Sequence, residues 1–217
     1  MVGFDWPAAT SALNYLEDRM DAKTTAFRLV SEGIANFARM QRSDCYLNLD
    51  SLAHSTGASV VREAFDDADD RPGVAQQSWS VRQVMLLSGD VSAGGMAEGA
   101  SKSSSLYRHC VRLTNYSNPF DNVLSLSDIE RIGVAPRVRR VGLPVLRPGK
   151  AVEVNCGAHF EANKAGYAGL AYPAHTFWFH DAVVLEDILH TIRGAVDRAE
   201  IVTRVAGAQG LVLRRPV

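Results

Sequence analysis

The chain has 217 residues, 47% of them hydrophobic, enough for one sizeable core. A formal net charge of −1 gives no reason to expect nucleic acid or an anionic membrane surface as a partner. Three widely spaced cysteines, no C-x-x-C pair and no H-x-x-x-H spacing argue against a disulfide framework and against a metal site.

No apolar run is long enough to span a bilayer, and the opening MVGFDWPAAT has neither the basic nor the apolar part of a signal peptide. A cytoplasmic location is the expectation for the chain as written. Val2 to Trp6 reads as a short strand stopped by Pro7. Ala9 to Met20 reads as a helix with Leu13, Leu16 and Met20 on one face. A stronger helix spans about Ala22 to Met40, where Phe27, Val30, Ile34 and Phe37 recur at helical spacing.

Leu47 to Gly57 is the chemically informative stretch. It reads as a strand, a sharp turn carrying Ser55, and a helix whose Val61, Ala64, Phe65 and Ala68 share one face. Ala53-His54-Ser55-Thr56-Gly57 fits the nucleophile elbow G-x-S-x-G, with Ala in the first glycine place. The turn is tight, so the residues two before and two after the serine must be small. The serine hydroxyl then projects above the sheet, and the Thr56 backbone N–H at the helix start can donate to an oxyanion. An ordinary serine in a strand–helix connection is the competing reading, and Asn48, Asp50 and Ser51 make the strand less apolar than a buried parallel strand usually is.

Asp66, Asp67, Asp69 and Asp70, closed by Arg71-Pro72-Gly73, read as a solvated helix end and turn. Val84 to Leu87 is a second buried strand, and Gly89 to Ser105 a loop or short helix near the strand ends. Cys110 to Asn115 is a third strand, followed by the turn Asn118-Pro119-Phe120-Asp121. Gly133 to Gly149 is irregular, with Arg137, Arg139 and Arg140 read as surface solvation. Ala151 to Asn155 is a fourth strand, Cys156 to Ala174 a long loop, and Leu185, Ile188, Leu189 and Ile192 mark a final helix. Strands alternating with helices predict an α/β fold: a mainly parallel sheet flanked by helices, with the site at the strand C-termini. The domain is expected over residues 1–198. Residues 199–217 read as a C-terminal tail, with strand character at Ile201 to Val205 and Leu211 to Leu213.

A serine nucleophile needs a base, and the base needs an orienting acid. The order Ser, Asp, His of α/β-hydrolases is supplied by Ser55, Asp121 after the third strand, and His175 before the final helix. Asp90 is the rival acid and His180, beside Asp181, the rival base; Asp121 and His175 are favoured. His54 is expected to pack beside the serine. His109, His159 and His190 read as structural, and Trp6 and Phe177 as core or pocket wall.

FDWPAATSALNYLEDR, LAHSTGASVVREAF, LTNYSNPFDNVLSLSDIERIGVAPRVRRVGLP and HTFWFHD together resemble a bacterial α/β-hydrolase family of poorly characterised function. Trp6-Pro7, Tyr15-Leu16, Ala53-His54-Ser55, Asp121 to Ser125 and His175 match its pattern in order, over most of residues 2 to 195. The resemblance implies a triad of Ser55, Asp121 and His175, a small-molecule ester or related acyl substrate, and no cofactor. Thr56 stands where the family usually has Met, and Phe120 where it has Asn. In such a fold an earlier strand ends in a His-Gly loop that gives a second oxyanion donor. The chain begins after that point, so the expectation is an α/β-hydrolase-like sheet lacking its N-terminal strands. The alternative is a catalytically inactive fragment or a ligand- or partner-binding protein of the same fold. Nothing in the sequence fixes an oligomeric state.

Overall fold

The computed structural model describes residues 2–5, 23–42, 44–45, 47–123, 135–208 and 210–214. The elements expected at Ala9 to Met20, and the resembling positions Trp6, Pro7, Tyr15, Leu16 and Leu124 to Ser127, lie outside the described residues. Among the described residues six strands form one sheet: β1 (Asp50–His54), β2 (Val81–Leu87), β3 (Cys110–Ser117), β4 (Ala151–Asn155), β5 (Arg204–Gly207) and β6 (Gly210–Leu213). Their order is β1-β2-β3-β4-β6-β5. All pairings are parallel except the terminal β5–β6 hairpin. The mainly parallel α/β sheet expected from the alternation of elements is the architecture observed.

Parallel strands are covered on both faces, so they read as continuous apolar runs. Val84 to Leu87 in β2 is such a run, and every residue of β2 except Arg82 is buried. Alternate side chains serve different layers. Val84 and Leu86 join one core with Ala58, Val61, Ala64 and Phe65 of helix α2 (Gly57–Asp70). Met85 and Leu87 join the other with Tyr116, Phe177, Trp178, and Val184 and Ile188 of helix α5 (Ala182–Arg193). The first core also takes Val30 and Ile34, from a π-helical turn at Leu29–Ile34 that leads into helix α1 (Ala35–Arg39). No helix among the described residues is long and apolar enough to cross a membrane.

Several expectations change. Residues 2–5 carry no strand, although Phe4 packs against the first core. The segment read as a tail has the strand character expected of it, as β5 and β6, and β6 joins the main sheet beside β4. Arg204 of β5 is buried and makes a two-point salt bridge to Asp187 of α5, with Nη2 2.6 Å from Oδ1 and Nε 2.9 Å from Oδ2. Thr203 and Tyr116 hydroxyls donate to the same carboxylate at 2.5 and 2.7 Å. Arg139 is not on the surface: it is 1% exposed and lies 3.3 Å from buried Asp90. The long loop after β4 contains helix α4 (Gly157–Asn163) and a 3-10 turn at Lys164–Tyr167. The stretch after β2 ends in helix α3 (Ser104–His109). The acidic helix end is only partly solvated, since Asp69 pairs with both Arg108 and His109.

Candidate active site

The sharp turn after β1 is present. Ser55 has φ +54°, a left-handed conformation that costs a non-glycine residue about 1–2 kcal/mol. Three backbone hydrogen bonds hold it there. The Ser55 N–H donates to Leu87 O at 3.0 Å, and the Ser55 carbonyl accepts from Asp90 N–H at 2.9 Å and Ala58 N–H at 3.1 Å. The end of β2 and the first turn of α2 thus clamp the serine between them. Ala53 is buried on the strand side and Gly57 on the helix side. Thr56 caps α2, so its amide stands at the positive end of a 14-residue helix. Gly89 serves the same junction: a Cβ there would lie 3.1 Å from Ala58 Cβ and 3.3 Å from Leu86 Cβ.

Asp121 and His175 come together across 54 positions of sequence. His175 Nδ1 lies 2.7 Å from Asp121 Oδ2, and both side chains are buried. The other carboxylate oxygen of Asp121 accepts from Val123 N–H at 3.2 Å. Asp121 closes a turn at the C-terminal end of β3, where its N–H donates to Asn118 O at 2.9 Å. His175 sits on a helical turn, Pro173–Thr176, that opens on Tyr172 at φ +51°. The two rivals lie elsewhere. Asp90 faces Arg137 and Arg139, at 3.5 and 3.3 Å. His180 is exposed, and its N–H donates to Phe177 O.

His54, the residue before the serine, joins the two halves. Its ring centroid lies 4.6 Å from that of His175 and 5.2 Å edge-on from Phe179. Its Nε2–H donates to the His175 carbonyl at 2.8 Å. Burial, with the adjacent His175 ring, lowers the His54 pKa to about 4, so the ring is neutral near pH 7. Its bond to the turn that carries His175 has no signal in the chain order.

The other histidines have separate partners. His109 stacks on Trp79 at 3.8 Å, and its Nε2 lies 2.7 Å from Asp69. His159 lies 3.0 Å from Asp181, which also accepts from Tyr167 and caps α5 through Val184 N–H. Burial pushes the Asp181 carboxyl up, but these hydrogen bonds outweigh it and hold the pKa at about 2. Trp178 lies in the core and donates from Nε1 to Ser88 Oγ at 3.1 Å; Ser88 is itself left-handed, at φ +46°. Among the described residues no group of His, Cys, Asp and Glu is arranged to hold a metal ion.

A mostly parallel sheet flanked by helices, with a left-handed serine between β1 and α2, is consistent with the alpha/beta hydrolase class. The model of one family, described as alpha/beta hydrolase of unknown function (DUF900), matches residues 1–143. The chain belongs to that family. The match covers Ser55 and Asp121; His175 lies beyond it. No curated protein and no solved structure matches the chain.

Proposed function

We propose that the protein is a serine hydrolase acting on an ester or related acyl substrate, with Ser55, Asp121 and His175 as its triad. The observation that carries this reading is the buried 2.7 Å contact between His175 Nδ1 and Asp121, beside the elbow that bears Ser55. In this reading Asp121 holds the imidazole with its proton on Nδ1, which leaves Nε2 basic. Ser55 Oγ attacks the acyl carbonyl and gives its proton to His175 Nε2. The Thr56 N–H donates to the oxyanion of the tetrahedral intermediate. His175 then protonates the departing alcohol, and water releases the acyl group by the same route in reverse roles. The partner is a small acyl substrate.

The test is covalent labelling by a fluorophosphonate probe. Labelling of the wild-type chain that disappears in Ser55→Ala is the expected result. A folded wild-type chain that takes no label favours a non-catalytic member of the same fold.

A further inference from the structure

The turn that carries His175 is held from two sides, by side chains that leave the ends of two different strands. Pro173–Thr176 is a single helical turn, and the last carbonyls of so short a turn lack the amide partners that a longer helix provides. Two consecutive carbonyls in it accept from side chains instead. Ala174 O accepts from Asn118 Nδ2–H at 2.8 Å, and His175 O accepts from His54 Nε2–H at 2.8 Å.

We propose that Asn118 and His54 are positioning residues that fix the base-bearing turn relative to the acid and the nucleophile; the proposal rests on the triad reading above. The contact between Asp121 and His175 orients a ring but leaves the backbone behind it free to shift. Asn118 removes that freedom on the acid side. While its amide nitrogen grips Ala174 O, its Oδ1 accepts from Phe120 N–H at 3.1 Å. Its backbone carbonyl accepts from Asp121 N–H at 2.9 Å, and its own N–H donates to Arg139 O at 2.7 Å. One wholly buried side chain therefore shapes the acid turn and anchors the base turn. His54 does the same on the nucleophile side, because it is the residue bonded to Ser55. The donors act in chemically independent ways, yet both end on the same short turn. A displacement of about 1 Å in such a turn is enough to cost roughly 100-fold in rate.

Two near-isosteric variants test this. His54→Phe keeps a ring against His175 and Phe179 but has no N–H. Asn118→Asp keeps the acceptor for Phe120 N–H but has no amide donor for Ala174 O. With an aryl ester as substrate, each is expected to lower kcat by about 10- to 100-fold while KM stays within about twofold. Independently of turnover, the Nδ1–H signal of His175 in protein labelled with ¹⁵N-histidine is expected to exchange with water about tenfold faster. If the wild-type chain neither turns over esters nor takes the fluorophosphonate, the hydrolase reading fails, and the exchange measurement still decides the clamp. Variants that melt near the wild-type temperature and keep both kcat and the exchange rate overturn the proposal. So does a rise in KM alone with exchange unaltered. Should Asn118→Asp not fold, His54→Phe decides by the same two readouts.

Discussion

At the scale of single residues, Ser55, Asp90 and Asp121 show how backbone and charge sort side chains into different work. Ser55 keeps an unfavourable φ because three backbone bonds over-determine it. Asp90 donates its amide to that same serine, but its carboxylate is committed to two arginines. In the triad proposed above, Asp121→Asn is expected to retain the fold and lose activity by about 10⁴-fold, since an amide cannot hold the same imidazole tautomer. His175→Ala should fall by a similar factor while His180→Ala stays near wild type; the opposite ranking in folded proteins, read from ester turnover, would move the base. His54 supplies a stability test. Its folded pKa of about 4 lies below the ordinary histidine value of 6.5, so the unfolded chain binds more protons between those limits. Its contribution is present above pH 6.5 and is lost as pH falls towards 4. Urea unfolding from pH 7 to 4 should show a smaller loss of stability in His54→Phe than in the wild type.

At the scale of elements, the β5–β6 hairpin depends on one buried ion pair. Arg204 and Asp187 are both inaccessible, and Tyr116, Thr191 and Thr203 complete their hydrogen bonds. Arg204→Ala leaves a buried carboxylate without its partner, which costs about 3–5 kcal/mol. Denaturant unfolding should show that loss, and Arg204→Met with Asp187→Leu should recover much of it because no uncompensated charge remains. Strand character at Ile201 to Val205 and Leu211 to Leu213 was legible, but the place of these strands in the sheet was not. Each strand has four residues, only partly buried, and the sequence RVAGAQGLVL lacks a long apolar run. The partner of Arg204 is 17 positions away on a helix, so the buried pair leaves no local signal in the sequence. Arg139 misled for the same reason, with Asp90 49 positions distant. By contrast β2 was legible because burial on both faces favours consecutive apolar residues, as at Val84 to Leu87, and β4 runs over Ala151–Asn155 as expected. Helix α4 was hidden by its shortness and by Gly157, Gly166 and Gly169 in and after it. The elbow was legible because its geometry restricts residue size locally. Asn118 was legible only as part of a turn, because its second bond reaches 56 positions ahead.

At the scale of the whole molecule, the sheet separates two apolar layers, and each layer holds one cysteine. Cys110 lies in the core that contains α2, and Cys156 in the core that contains α5. Burial raises both thiols, Cys110 to about 11 and Cys156 well above its ordinary value, so neither offers thiolate near neutral pH. Cys45 is exposed and free. A disulfide-exchange reagent added to the native protein should therefore consume one thiol at once and two slowly. The slow pair reports how the layers come apart. The strands alternate their side chains between both cores, as Val84 and Leu86 against Met85 and Leu87 do. Opening one layer strips one face of β2 and β3, and so removes half the burial that holds the strands in register. The two layers should then unfold as one cooperative unit. Cys110 and Cys156 are expected to react with the same rate, and that rate should rise with urea in parallel with the loss of near-ultraviolet circular dichroism. Mass spectrometry of partly labelled protein distinguishes the two sites. A Cys156 that reacts well before Cys110, at urea concentrations where the dichroism is unchanged, would show that the layer containing α5 and the β5–β6 hairpin opens by itself.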